Sequence, residues 1–148
     1  MANPELILPP AVAASLRKWH EMVAQRDLAG LPALLHPDAV FRSPMAHSPY
    51  ASAQAVSLIL NTVMSVLRDF TYHRQLATGD GLGVVLEFSA SVGDKALKGI
   101  DLIQFDAAGL IVDFEVMVRP LSGLQALGAE MGQRLGALLP AYKAAQRG

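Results

Sequence analysis

The chain of 148 residues contains no cysteine, which excludes disulfide bonds, thiol catalysis and thiolate-bound metals. It has no excess of either charge: its formal net charge is −1, and without a basic surface we do not expect nucleic acid as a partner. No uncharged apolar run reaches the ~18 residues of a membrane-spanning helix. The first residues carry Glu5 instead of the positive charge of a signal peptide. These absences favour a cytoplasmic protein without membrane contact.

What the chain has in abundance is apolar side chains. Hydrophobic residues make up 52% of it and charged residues only 17%. A single domain spanning residues 1–148 is long enough to bury a core, and we expect the remaining apolar surface to line a ligand cavity or a subunit interface. Burial of part of this surface between two copies of the chain would give a homodimer, which is the assembly we expect.

The first half of the chain has mainly helical spacing. Val12, Leu16, Trp19 and Val23 form one apolar stripe, which predicts a helix after an N-terminal tail of residues 1–10. We then expect, in order, a short helix at 28–35, a turn at 36–38, a strand at 39–43, a proline-containing loop at 43–50 and a helix at 53–68.

The second half changes to a period of two. Alternation predicts strands at 70–78, 82–92, 96–105 and 110–118, and a final helix at 121–146. The connections are short and rich in glycine and aspartate, so neighbouring strands must be antiparallel. The predicted class is α+β, with helices packed on one face of a curved sheet.

Asp101 is the most informative residue, because it is a carboxylate within an otherwise apolar strand. Period two places it on the same face as Ile103 and Phe105. If that face is the inner one, desolvation raises the pKa of Asp101, and a neutral acid could donate a hydrogen bond to a ligand. The alternatives are a solvated residue on the outer face or a buried one satisfied by backbone.

Two further groups of residues could take part in chemistry. His47 and Tyr50 lie in the proline-containing loop, where a histidine could act as acid or base near neutral pH, or where both could merely form a lid. Tyr72 and His73 alternate on one strand, so only one of them can face inward. No histidine pair has the spacing of metal ligands, and we predict neither a metal nor a cofactor.

Most other acids fall on the opposite strand face. Glu87 alternates against Leu86 and Phe88, which predicts that it lies on the outer sheet surface and pairs across strands with Lys98 or Arg119. In the last helix, Gly128, Gly132 and Gly136 recur every four residues. This costly pattern predicts that another backbone approaches the groove closely, unless the helix is simply frayed.

Two segments, with the order of elements, carry a family resemblance. They are 26–31 leading into 38–41, and 99–106 followed by 109–112. The chain from about Leu16 to Arg119 resembles the nuclear transport factor 2-like superfamily, which includes SnoaL-like polyketide cyclases, ketosteroid isomerase and limonene epoxide hydrolase. The resemblance implies a cone: a curved antiparallel sheet wrapped around helices, the nuclear transport factor 2-like or cystatin-like α+β barrel, around a deep apolar cavity.

The comparison with ketosteroid isomerase also suggests roles for residues. That enzyme uses an aspartate base, a tyrosine and a protonated aspartate. The protonated acid corresponds to Asp101, the tyrosine to Trp19 and the base to Ser43. A serine without a neighbouring base does not abstract such a proton, so that mechanism is not expected. The ligand-binding residues expected on the cavity wall are Trp19, Phe41, Ser43, Leu86, Phe88, Ile103, Phe114, Val116 and Val118.

Two functions remain open from the sequence. The first is an isomerase, cyclase or hydrolase acting on a small apolar molecule, with Asp101 as the catalytic acid assisted by His47 or Tyr50. The second is a non-catalytic binding module in which Asp101 anchors a polar group of the ligand. The loss of the base at Ser43 favours the second function, and the loop residues favour the first.

Overall fold

The computed structural model describes residues 6–143, and the predicted stripe of Val12, Leu16, Trp19 and Val23 is buried in the first helix. The main elements are α1 (Pro10–Gln25), β1 (Leu35–Arg42), β2 (Tyr50–Ala51), α2 (Ala53–Val66), β3 (Arg68–Ala77), β4 (Gly83–Val92), β5 (Lys95–Phe105), β6 (Ile111–Arg119) and α3 (Leu121–Leu135). None of the helices between residues 6 and 143 is long and apolar enough to cross a membrane.

One six-stranded sheet organises the molecule, in the order β2-β1-β6-β5-β4-β3. Strands β3 to β6 form the predicted antiparallel meander, while β1 returns to pair parallel with β6. The sheet is curved and unclosed, since β2 and β3 remain its two edges. The predicted α+β class is confirmed, with a mixed rather than a purely antiparallel sheet.

Alternation along β5 separates its two faces as predicted. Asp101, Ile103 and Phe105 are buried, whereas Lys98 and Gln104 are exposed. The inner face therefore carries a carboxyl group into the apolar interior. Asp101 pairs across the strands with Leu86 on β4 and Val116 on β6.

The outer face carries the charged network. Glu87 accepts hydrogen bonds from Arg74 at 2.6 and 2.9 Å and lies 3.6 Å from the Lys98 ammonium. The hydrogen bond from Arg74, together with both positive charges, lowers the pKa of Glu87 to about 2. The predicted cross-strand pairing of Glu87 with Lys98 is confirmed.

Two predicted segments differ from the structure. The helix expected at 28–35 is a single 3₁₀ turn, Leu31–Leu34, and the predicted turn at 36–38 belongs to β1. Its pairing with β6 shifts register between Leu35 and Val40, so the irregular residues that suggested a turn are accommodated within the strand.

The predicted final helix at 121–146 was also wrong in length. The α-helix ends at Leu135, and a 3₁₀ turn follows at Leu139–Tyr142. Pro140 lacks the backbone N–H that a continuing helix requires, and Gly136 weakens it further. The last predicted positions, 144–146, lie outside the described residues, as do residues 1–5 of the predicted tail.

Candidate functional site

The concave side of the sheet encloses a cavity of about 290 Å³ beneath α2 and α3. This volume is near the lower end of typical small-molecule sites, about 300–1,000 Å³. Its wall is overwhelmingly apolar. The lining residues are Trp19, Phe41, Ser43, Pro44, Met45, Ala46, Tyr50, Ile59, Leu60, Val63, Met64, Leu67, Phe70, Tyr72, Phe88, Asp101, Phe114, Val116, Leu127, Gly128, Met131, Gly132, Leu139 and Lys143.

A chain of three side chains forms the polar part of the cavity wall. The Trp19 indole N–H donates to the Tyr72 hydroxyl at 3.0 Å. That hydroxyl donates in turn to Oδ2 of Asp101 at 2.5 Å, a short distance typical of a bond to a charged or strongly polar acceptor. The three residues come from α1, β3 and β5, so the complete fold is needed to assemble them.

Burial controls the protonation of Asp101. The residue is only 6% exposed, and desolvation raises its pKa to about 7, against the opposing effect of the Tyr72 hydrogen bond. Burial, reinforced by the negative charge of Asp101, holds the pKa of Tyr72 well above its usual 10. Tyr72 therefore remains a donor at neutral pH, while Asp101 exchanges its proton there.

The second carboxyl oxygen of Asp101 is available to a ligand. Tyr72 bonds Oδ2, and Oδ1 has no hydrogen-bond partner within residues 6–143. In the same part of the chain, no fully buried side-chain oxygen or nitrogen lacks a partner. Oδ1 is consequently not sealed in the core but opens to the cavity that Asp101 lines.

Aromatic rings hold Tyr72 in position. Phe70 meets its ring edge-on at 4.8 Å between centroids, and His20 does so at 5.3 Å. His20 also shares a hydrogen bond of 3.2 Å with Gln75, and burial lowers its pKa. A neutral His20 thus packs behind Tyr72 without adding a charge beside Asp101.

The structure brings most of the expected site residues to one cavity. Besides Asp101 and Tyr50, the wall contains the expected ligand-binding residues Trp19, Phe41, Ser43, Phe88, Phe114 and Val116. Whether any of them contacts a ligand or takes part in catalysis stays a prediction.

Four expected residues lie elsewhere. His47 is exposed on the loop and does not line the cavity. Leu86 and Ile103 point inward but are covered directly by the main apolar core. Val118 packs on the smaller cluster around Leu97 and Leu127. Alternation groups the residues that share a strand face, but it does not show where along a strand the helices leave space.

The sequence left open whether Tyr72 or His73 faces inward, and it did not place the glycine face of α3 at the site. Tyr72 shares a strand face with the apolar Phe70, two residues earlier, and this parity could have distinguished it from His73. His73 instead contacts the hydroxyl of Ser89 at 2.7 Å. The contribution of α3 had no comparable signal.

The glycines at positions 128, 132 and 136 of the last helical segment do not form the predicted close contact with another backbone element. A Cβ at Gly132 would meet nothing within 4 Å, because the position faces open cavity. A Cβ at Gly128 would lie 2.5 Å from the terminal methyl of Met45. The missing side chains at Gly128 and Gly132 make room for Met45 and for the cavity, whereas a Cβ at Gly136 would lie 2.5 Å from the carbonyl oxygen of Gly132.

The comparisons with known proteins agree with this architecture. The SnoaL-like domain family matches residues 16–114. The chain is 67% identical to a steroid delta-isomerase from Pseudomonas aeruginosa, with a TM-score of 0.88 over 92% of this chain and 99% of that one. It is 32% identical to an uncharacterized cystatin-like protein from Silicibacter pomeroyi, with a TM-score of 0.80 over 90% and 94% of the two chains.

More distant structures show the fold alone. A nuclear transport factor 2-like protein from Mesorhizobium loti is 18% identical, with a TM-score of 0.67 over 80% of this chain and 98% of that one. No curated protein matches the chain.

Proposed function

Because the chain belongs to the family of SnoaL-like domains, we propose that it is an isomerase that moves a proton on a small, largely apolar carbonyl compound. The observation that carries this proposal is the buried carboxyl of Asp101, whose free oxygen opens into an apolar cavity. The similarity to a steroid delta-isomerase over almost the whole chain supports the same class of reaction.

The proton transfer requires a group that changes protonation near the working pH. With a pKa of about 7, Asp101 exists in both forms at neutrality, which is optimal for general acid–base catalysis. As a carboxylate, Oδ1 takes a proton from the carbon beside the carbonyl, and the electron pair moves toward the carbonyl oxygen. The carboxylic acid then returns that proton at the far carbon of the conjugated system, so the double bond shifts and Asp101 is regenerated.

Tyr72 positions this carboxyl group. By donating to Oδ2 it fixes the carboxyl plane and leaves Oδ1 directed at the cavity. Trp19 fixes the hydroxyl in turn. No second carboxylate among the described lining residues corresponds to the separate base that ketosteroid isomerase uses. The resemblance assigns that position to Ser43, which lines the cavity. A single carboxyl must therefore both remove and return the proton.

A non-catalytic binding protein is the second candidate. It is favoured by one observation: Asp101 is the only carboxylate among the described lining residues. In that case protonated Asp101 donates a hydrogen bond to the ligand oxygen and no carbon proton moves.

Conversion of a β,γ-unsaturated 3-ketosteroid to its conjugated isomer distinguishes the two functions. We expect growth of the conjugated enone absorbance, and exchange of carbon-bound protons for deuterium in heavy water, with wild-type protein. Asp101→Asn should abolish both signals, while Asp94→Asn, in the exposed turn after β4, should leave them unchanged. Binding without turnover or exchange would reject the isomerase and support the binding protein.

Ser43→Asp provides a complementary gain-of-function test. It adds a second carboxylate to the cavity wall, so removal and return of the proton no longer depend on one group. We expect faster isomerisation than in wild type, with Ser43→Ala as the control for loss of the hydroxyl. A positioned acid or base typically contributes about 10²–10⁴-fold, so even a poorly aligned carboxylate should give a measurable gain.

A further inference from the structure

The cavity has a second polar end that the proposed reaction does not use. Tyr50 on β2 and Lys143 line it there, and an isolated antiparallel bridge joins the backbones of these two residues. In the sheet order, β2 lies three strands away from β5. At ~4.8 Å between neighbouring strands, the two ends are roughly 14 Å apart measured along the sheet.

Lys143 supplies a positive charge without a partner carboxylate. Within residues 6–143 no acidic oxygen lies within 4 Å of its ammonium nitrogen. The ammonium instead lies 5.9 Å from the centroid of the Tyr50 ring, a distance at which cation–π attraction fixes the side chain. Among the described lining residues, only Asp101 and Lys143 can carry a formal charge, and their charges have opposite signs.

Tyr50 adds a neutral donor beside this charge. The residue is 6% exposed, yet its hydroxyl has no hydrogen-bond partner among the described residues. Since no fully buried polar atom there lacks a partner, the hydroxyl reaches open space. Burial raises the pKa of Tyr50, so the group keeps its proton at neutral pH and can donate it in a hydrogen bond.

We propose that Lys143 and Tyr50 form a subsite for an anionic group, so that the ligand is an apolar carbonyl compound with a carboxylate or similar anion at its far end. The inference rests on the proposed function for the position of the carbonyl at Asp101. The subsite would also determine the orientation of the ligand. The anionic end is attracted to Lys143 and repelled by ionised Asp101, so the carbonyl end is the one placed beside Asp101.

Two dyes with the same aromatic body test the subsite. 1-Anilinonaphthalene-8-sulfonate carries a permanent negative charge, and N-phenyl-1-naphthylamine lacks it. We expect wild-type protein to bind the sulfonate more tightly. Lys143→Met should weaken sulfonate binding by at least about fivefold, the size of a partly exposed charge contact, and leave the neutral dye unchanged. Lys143→Arg should retain the preference.

Three controls make the outcome specific. Lys18→Met removes the same charge from the exposed side of α1 and should change neither affinity. Tyr50→Phe should weaken only the sulfonate. Gly132→Leu, which fills the cavity, should weaken both dyes, so sulfonate binding that survives this change lies outside the cavity and overturns the inference.

The remaining outcomes separate the subsite from the proposed function. Equal effects of Lys143→Met and Lys18→Met on the sulfonate, with the neutral dye still bound in the cavity, overturn the anionic subsite and leave the isomerase standing. Failure of both dyes to bind overturns the subsite. Loss of ketosteroid turnover with intact, Lys143-dependent sulfonate binding rejects the isomerase alone.

Discussion

Replacing Asp101 by asparagine should change how the stability of the protein depends on pH. The folded pKa of about 7 lies roughly three pKa units above the ordinary value of ~3.9 in an unfolded chain. Between these values the folded state binds the extra proton, so stability falls as pH rises, by ~1.4 kcal/mol per pH unit. The full stabilisation is present below about pH 4 and is lost above about pH 7.

The asparagine side chain has no proton to lose in this range. It is nearly the same size as aspartate, and its carbonyl oxygen can still accept the hydrogen bond from Tyr72. Relative to wild type, Asp101→Asn should therefore gain ~4 kcal/mol of stability between pH 4 and pH 8. All other titrating groups, including Glu87, contribute equally to both proteins and cancel in this difference.

Urea denaturation of both proteins at several pH values measures the effect. The control is Asp94→Asn, which removes a carboxylate from an exposed turn. The free energy difference between Asp101→Asn and wild type should grow steadily with pH, and that of the control should not. A difference that stays constant within about 1 kcal/mol from pH 4 to 8 would refute the buried, proton-binding carboxyl, as would an NMR titration placing its pKa near ~4.

Three other predictions follow from the site and the outer sheet face. Tyr72→Phe removes the hydrogen bond that opposes desolvation, so an NMR titration should show a still higher pKa for Asp101. Gly132→Leu should keep its melting temperature, since a side chain there meets open space, but should lose ligand binding; a large loss of stability would contradict the open space. Met117 and Leu76 are 45% and 52% exposed on the outer face, so sedimentation should show a homodimer, and only monomer at micromolar concentration would exclude it.

The sequence predicted the fold well because its signals are local. The helical stripe through Val12 and Trp19, the period-two segments and the short turns each determine one element or one strand pairing. Errors occurred where a tertiary effect overrides local preference. The register break after Leu35 continues a strand through a predicted turn. The final helix ended early for a local reason instead, because Gly136 and Pro140 oppose its continuation beyond Leu135.

The candidate site was only partly predictable. Alternation grouped Asp101 with Ile103 and Phe105 but left open whether that face is the inner one. Its partner Tyr72 is 29 residues away on a strand that is not its neighbour. Leu86 and Ile103 lie on the same inner face as Asp101, but core side chains pack directly against them, so they do not line the cavity. The volume of the cavity depends on the distance between the helices and the sheet. A residue pattern along one strand carries no information about that distance.

Hydrogen bonds connect Trp19 on α1 to Asp101 through Tyr72. The packing of α1 against the sheet should therefore depend on whether Asp101 carries a proton. If α1 moves away, Trp19 releases Tyr72, water reaches the carboxyl, and its pKa returns toward the ordinary value. Ionised Asp101 therefore favours the open arrangement, and protonated Asp101 favours the closed one. Amide hydrogen exchange in α1, corrected for the intrinsic effect of pH, tests this dependence and should become faster above neutrality.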